Sequence, residues 1–379
     1  MSGPRTIVGF MPLLDCATLV VAAEGGFAAA EGLDLRLVRE TSWANIRDRL
    51  IVGQFDAAHM LGPMVLASTL GIGHLRVPLI APVALGLGGN AITVSGPLAE
   101  AMRDQRGPEG FDPAPQGQAL ARVVRARAAR DAPPLVFAMV YPFSAHNYEL
   151  RYWLAASGID PDVDVRLVVI PPPLLVDALR EGQIDGFCVG EPWSSVAVAA
   201  GVGEIVTTAV SIWHNSANKV LGMRRDWAAA DGERVAALVR AVVRAALWCD
   251  DPGNRHELAR LLAGPRYVGV PADLLEAALA GELPQWREAP PRRIPGFIGF
   301  ATNGGTFPFP SHALWFYEQM VRWRQCAGSA TDRQLVQQAY CPHLYRAACA
   351  NLQVLLPPAD TRSEYFFDGQ RFERELISS

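Results

Sequence analysis

The chain has 379 residues, half of them apolar (50%), enough for two or three compact units with cores of their own. A net charge of −4 gives no electrostatic footing for direct nucleic-acid binding, and no apolar run reaches the roughly 18 residues of a membrane span. The cysteines at 16, 188, 249, 326, 341 and 349 contain no CxxC pair and read as free thiols; Cys341, His343 and Cys349 lack the second ligand pair of a zinc site.

Arg5–Phe10 (RTIVGF) predicts the first strand. The apolar run before Cys16 has the outline of a lipoprotein leader. Only Arg5 supplies positive charge, however, Pro12 interrupts the run, and Asp15 stands where a small residue is expected. A fold that begins at residue 5 leads to the expectation of a cytoplasmic protein. Residues 16–30 read as helix, 33–38 as strand, 43–53 as helix, 55–61 as strand, 63–70 as helix and 76–85 as strand. Such alternation predicts βαβ units and a mostly parallel sheet, whose ligands bind beyond the carboxyl ends of the strands. That rule marks 11–15, 40–43 and 59–63 as facing a site.

The Gly-flanked strand GGNAITVS (88–95) reads as a crossover into a second unit. Arg122, Arg125, Arg127 and Arg130 then make a solvated helix face, because no aromatic or Gly-rich element accompanies them. A strand at 135–140, a helix at 146–157, a strand at 165–170, a helix at 174–181 and a strand at 184–189 follow. Glu191, Pro192 and Trp193 open the next helix. The chain returns to the first unit through a strand at Lys219. Helices are expected at 231–249, 256–262, 271–279, 309–325 and 332–355, with an irregular linker at 288–310 and a polar, partly ordered tail at 360–379. The expected division is lobe I over 1–92, lobe II over 93–210, a return to lobe I over 211–300, and a helical C-terminal region over 301–379. Two α/β lobes joined by several chain crossings predict a hinged, clam-like binding architecture.

Of the 34 lysines and arginines one alone, Lys219, is lysine. Drift from Lys to Arg stops where the two are not interchangeable, and a compact ammonium fits where a planar guanidinium does not. Lys219 stands between a turn-rich approach (His214, Asn215, Ser216, Asn218) and an apolar strand, at a strand mouth. A buried lysine without a partner is costly, and an anion beside it removes that cost. Trp43, Asn90 and His146, also at loop or helix-start positions, bring donors suited to a small oxyanion that only accepts hydrogen bonds. Glu191 and Trp193 suit packing and lobe positioning, since a carboxylate repels an anion. Each has a plainer reading: Trp43 as a core aromatic, His146 as an outward helix residue, Asn90 as a turn residue. No GxSxG, P-loop, GxGxxG or HExxH motif is present, so no enzyme and no cofactor is expected; Asp15 and Glu149 lack a second carboxylate for acid–base work.

The segments SWANIRDRL (42–50), FDAAHML (55–61), GGNAITVS (88–95), HNYELRYWLAASGIDP (146–161), DGFCVGEPW (185–193), KVLGMR (219–224) and TFPFPSHALWFYEQMVRW (306–323) resemble the nitrate- and bicarbonate-binding proteins of ABC transport. The resemblance implies a two-lobed α/β fold of the periplasmic-binding-protein-like type II kind. It also implies nitrate or nitrite held between the lobes at positions matching Lys219, His146, Trp43 and Asn90. Asn90 stands where transport relatives carry Gln. Lys219 and His146 together favour nitrate or nitrite over bicarbonate, whose relatives differ at both positions. Without a leader, the chain most resembles NasS-type cytoplasmic nitrate/nitrite sensors, which hold a NasT-like RNA-binding antiterminator inactive until the ligand arrives. The other expectations are a transporter's binding component and, in another class, an enzyme on the same fold like the pyrimidine-precursor synthases. Trp315, Phe316, Trp323 and Tyr340 in the C-terminal region are candidates for a partner surface.

Overall fold

The computed structural model describes residues 5–73, 75–105 and 109–376. β1 (Arg5–Phe10) is followed by α1 (Ala17–Glu24), β2 (Asp34–Arg39), α2 (Trp43–Ile51), β3 (Ala57–Leu61), α3 (Gly62–Leu70) and β4 (Leu79–Ala84). Local chemistry sets the helix starts. Ser42 caps α2 by accepting the Asn45 N–H at 3.2 Å, and Pro63 occupies the first turn of α3, where its missing N–H leaves no bond unmade. The second unit runs through β5 (Asn90–Ser95), α4 (Gly96–Asp104), α5 (Pro113–Ala128), β6 (Leu135–Met139), α6 (Ala145–Ala156), β7 (Val165–Val169), α7 (Leu175–Arg180), β8 (Gly186–Gly190), α8 (Trp193–Ala199) and β9 (Gly203–Thr208). β10 (Lys219–Arg224) then re-enters the first.

The strands form two five-stranded sheets, ordered β2-β1-β3-β10-β4 and β9-β5-β8-β6-β7. β1 runs parallel to β2 and β3, whereas β10 slots antiparallel between β3 and β4. The second sheet repeats this plan: β6 is parallel to β7 and β8, while β5 runs against both β8 and β9. The expected mostly parallel sheets are therefore mixed. A strand arriving from the other lobe enters at the edge where the parallel strands end, so it must run against them. The result is the two-lobed, periplasmic-binding-protein-like α/β fold. Close packing of β1 fixes a glycine, since a Cβ at Gly9 would sit 2.2 Å from the Phe55 ring.

β9 is a strand the sequence reading did not contain; it exists through its pairing with β5. In the C-terminal region, α9 (Gly232–Asp250), α10 (Arg255–Leu262), α11 (Ala272–Ala280) and α12 (Pro310–Arg322) lie close to the expected helices. The single helix expected over 332–355 is instead two, α13 (Ala330–Ala339) and α14 (Pro342–Cys349). Between them Tyr340 bridges to Ala81 of β4, Cys341 donates its N–H to the Ala81 carbonyl at 3.0 Å, and Pro342 has no N–H to continue the first helix. Trp315, Phe316 and Tyr340 are buried, so these proposed partner-surface aromatics belong to the core.

The polar tail, expected to be partly ordered, folds into a hairpin of β11 (Glu364–Tyr365) and β12 (Arg371–Phe372); residues 377–379 lie outside the described residues. Its anchor is Glu364, which has no solvent exposure. Oε2 accepts the Trp213 indole N–H at 2.7 Å, and Oε1 lies 2.9 Å from both His312 Nε2 and Arg362 Nε. Phe366 stacks on Tyr152 of α6 at a centroid distance of 4.7 Å, and the Tyr152 hydroxyl donates to Asp368 at 2.9 Å. The tail thus grips both lobes. Removing one partner of a buried ion pair costs about 3 to 5 kcal/mol because the other is left unmatched. Glu364→Ala is expected to lose about 3 kcal/mol in urea unfolding; hydrogen exchange should show 364–372 released first.

Candidate functional site

The mixed sheets decide where the site lies. Lys219 opens β10 opposite Leu61 at the end of β3, and Asn90 opens β5 opposite Gly190 at the end of β8. The antiparallel strands therefore start at the edges where the parallel strands finish. Asp15 follows β1, Trp43 starts α2, and His146 and Glu149 stand in the first turns of α6. All of these are buried, and the two sheets bring them to one place.

Lys219 is not the unpaired cation that the sequence reading supposed. Its Nζ lies 2.8 Å from Asp15 Oδ2, donates to Asn218 Oδ1 at 2.7 Å, and sits 3.4 Å from His146 Nε2. It also lies 5.5 Å from the centroid of the Trp43 ring. Asp15 has a second support in His59, whose Nε2 is 3.1 Å from Oδ1. The Met11 N–H points at His59 Nδ1 at 3.4 Å, which leaves the ring proton on Nε2, facing Asp15. Burial opposes ionisation of Asp15, but the neighbouring Lys219 and His59 together outweigh it and hold the carboxyl well below the usual carboxylate range. Burial pushes the Lys219 pKa down, and Asp15 opposes that shift.

Asn90 is placed differently from a free donor. Its Nδ2 donates to Glu149 Oε2 at 2.9 Å, while its Oδ1 accepts from Asn218 Nδ2 at 2.7 Å and faces His146 Nε2 at 3.0 Å. The amide thus turns its carbonyl, not its N–H, toward the histidine. Ser216 donates to Glu149 Oε1 at 2.5 Å. Burial raises the Glu149 pKa, and its two donors offset that in part. Burial and the charge of Lys219 keep His146 neutral, well below its ordinary pKa. Its Nδ1 and the indole Nε1 of Trp43 are buried without a hydrogen-bond partner. Two buried polar atoms without partners next to a lysine are open to a small polar ligand. Cys188 lies 4.0 Å from Glu149, and burial pushes its thiol pKa well up, so it carries no thiolate.

The structure thus gathers all four expected residues, Lys219, His146, Trp43 and Asn90, and adds Asp15, His59, Glu149, Ser216 and Asn218. The carboxyl-end rule already marked 11–15 and 59–63. What the sequence did not carry was the pairing of Asp15 with Lys219. Gly190 completes the group: a Cβ there would lie 3.3 Å from Asn90 Oδ1, 3.5 Å from Asp15 Oδ2 and 3.7 Å from His146 Nε2. Glu191 next to it joins the lobes. Its carbonyl accepts the Leu14 N–H at 2.7 Å and its Oε2 accepts the Ser195 N–H at 3.1 Å. Trp193 Nε1 is buried without a hydrogen-bond partner.

The profile of the NMT1-like family matches residues 4–263. The nitrate import ATP-binding protein NrtC of Synechocystis is 36% identical over 96% of this chain, which spans 53% of that protein. The bicarbonate transport ATP-binding protein CmpC of Synechococcus elongatus is 38% identical over 83% of the chain and 45% of its own length. The chain therefore spans about half the length of these two relatives. The nitrate/nitrite binding protein NrtA of Synechococcus elongatus is 32% identical, covering 97% of this chain and 83% of its own. Among solved structures, the periplasmic nitrate-binding protein NrtA of Synechocystis superposes with a TM-score of 0.88 at 29% identity, over 98% of this chain and 96% of that one.

Burial raises the Glu191 carboxyl from its ordinary 4.5 to about 7, with the Ser195 N–H only partly offsetting it. The folded state therefore holds this proton more tightly than the unfolded one. Its stabilisation is complete below about pH 4.5 and fades as the pH rises through about 7. Glu191→Gln removes that loss. Relative to wild type it should gain on the order of 3 kcal/mol near pH 8 and little near pH 4, read from urea unfolding across that range.

Proposed function

The chain belongs to the NMT1-like family, and from that membership we propose that it binds nitrate or nitrite between its lobes, with Lys219 as the cationic anchor. The observation that carries this reading is the buried Lys219 ammonium beside the unpartnered Trp43 Nε1 and His146 Nδ1. A planar ion that only accepts hydrogen bonds matches one cation with the free indole N–H of Trp43 beside it. Trp43 donates to the ion directly from its indole N–H, and His146 does so from Nδ1 in the tautomer that carries the ring proton there. Asn90 acts through His146, because its carbonyl faces that ring while its Nδ2 donates to Glu149. Ligand contact with groups from both sheets favours a closed arrangement of the lobes over an open one, and closing is the signal that a partner reads.

In its broader form this is the ligand-binding component of a nitrate or nitrite ABC transporter, a reading supported by the likeness to the nitrate/nitrite binding protein NrtA. The finer proposal is a cytoplasmic sensor that holds a NasT-like antiterminator and releases it when the ligand binds. The likeness to the nitrate import and bicarbonate transport ATP-binding proteins, of whose length this chain spans about half, bears on the anion and not on the partner.

Calorimetric titration with nitrate, nitrite and bicarbonate tests the site. Wild type should bind nitrate or nitrite in preference to bicarbonate, Lys219→Ala should lose at least about 100-fold in affinity, and Lys219→Arg should not restore it, since the fork does not fit the space of the ammonium. Retained nitrate binding in Lys219→Ala would sink the assignment. For the sensor, the tagged chain should co-purify with an antiterminator and shed it on addition of nitrate; a complex indifferent to nitrate leaves the transporter role standing alone.

A further inference from the structure

We propose that Asp15 is a built-in rival anion, so that the ligand binds by taking the place of the Asp15 carboxylate on Lys219. This rests on the reading that the site takes a small oxyanion. Lys219 Nζ lies 2.8 Å from Asp15 Oδ2 and donates to Asn218 Oδ1 at 2.7 Å, while the edge of the His146 ring, 3.4 Å away at Nε2, covers its remaining side. The lysine side chain has no exposure and that of Asp15 has 10%, so water screens their attraction little. An incoming anion therefore meets a neutral pair rather than a free cation.

For an anion to face Lys219, one of these three side chains has to move aside, and the geometry points to the carboxylate. Asn218 is held on its other side by Asn90 Oδ1 at 2.7 Å, and its neighbour Lys219 is fixed in the β10 ladder. His146 is held by Asn90 at 3.0 Å. Asp15 alone has somewhere else to go, because its Oδ1 already faces His59 Nε2 at 3.1 Å and Asn218 Nδ2 lies 3.5 Å from its Oδ2. It also belongs to a short turn between β1 and α1, where a side-chain rotation leaves the sheet undisturbed. His59 keeps a carboxylate that has left Lys219 from being stranded in an apolar interior. Exchange of one anion for another lets a buried cation stay compensated with the ligand and without it. It also limits affinity, because each ligand has to displace a carboxylate already in place.

Nitrate titration of Asp15→Asn decides between a rival and a support. The amide keeps the shape and removes the charge, so nitrate should bind about tenfold tighter or more than to wild type, and its thermal stabilisation of the variant should exceed that of wild type. Folded Asp15→Asn that binds nitrate no more tightly than wild type overturns the exchange. Should the variant not fold, wild type labelled with 13C at aspartate carboxyls gives the answer by difference infrared spectroscopy. Nitrate should shift one carboxylate stretch, and an unchanged carboxylate region overturns the proposal. A wild-type protein that binds none of nitrate, nitrite and bicarbonate overturns the functional reading instead.

Discussion

An ammonium group in a dry interior has to find a negative partner, and in this fold that requirement joins distant parts of the chain. Lys219 reaches the interior at the mouth of a returning strand, and the carboxylate that matches it comes from the first loop of the protein. Around that pair the secondary partners fall into a fixed order. Asn218 holds Lys219, Asn90 holds Asn218 and His146, and Glu149 with Ser216 holds Asn90. Each amide is oriented by its neighbour, so altering one end of the chain of bonds is felt at the other. A network of this kind is valuable only while every member is satisfied. The buried groups outside it, Trp43 Nε1 and His146 Nδ1, then stand out as places for something else.

The sequence carried every strand of the two large sheets except β9, together with Lys219, because each has a local signature. Strand and helix alternate with their own periods, and a single lysine among many arginines is visible in composition alone. Asp15 lay inside a window that the carboxyl-end rule marked, yet nothing local says which cation it meets. Asn218, its neighbour in the site, lies 203 positions away. Asn90 shows the same limit in another form. Its identity was legible, but the direction of its amide is set by Glu149, 59 residues on, which turns an expected donor into an acceptor for His146. Pro342 was in plain view inside the stretch expected as one helix, and its consequence became definite only with Tyr340 bridged to Ala81.

The C-terminal region contributes rigidity by burying aromatic surface between lobes. Trp213, just ahead of the lysine strand, packs against Trp315 at 4.3 Å and Phe366 at 5.6 Å between ring centroids. The same α6 that turns His146 and Glu149 toward the site turns Tyr148 and Tyr152 toward this region, through Gln325 and Asp368. Motion of α6 on one side is therefore motion of its aromatic face on the other, which gives lobe closure a physical route to the outer surface of the protein.

The hairpin at 364–372 also has a meaning in time. Glu364 meets Trp213 across 151 residues, and Asp368 meets Tyr152 across 216. A ribosome delivers the chain from its N-terminus, and units fold as they emerge. Both sheets are complete once β10 has been made, well before the hairpin exists. Both sheets thus spend an interval of synthesis without the hairpin, and the contacts of α6 with Phe366 and Asp368 are among the last to form.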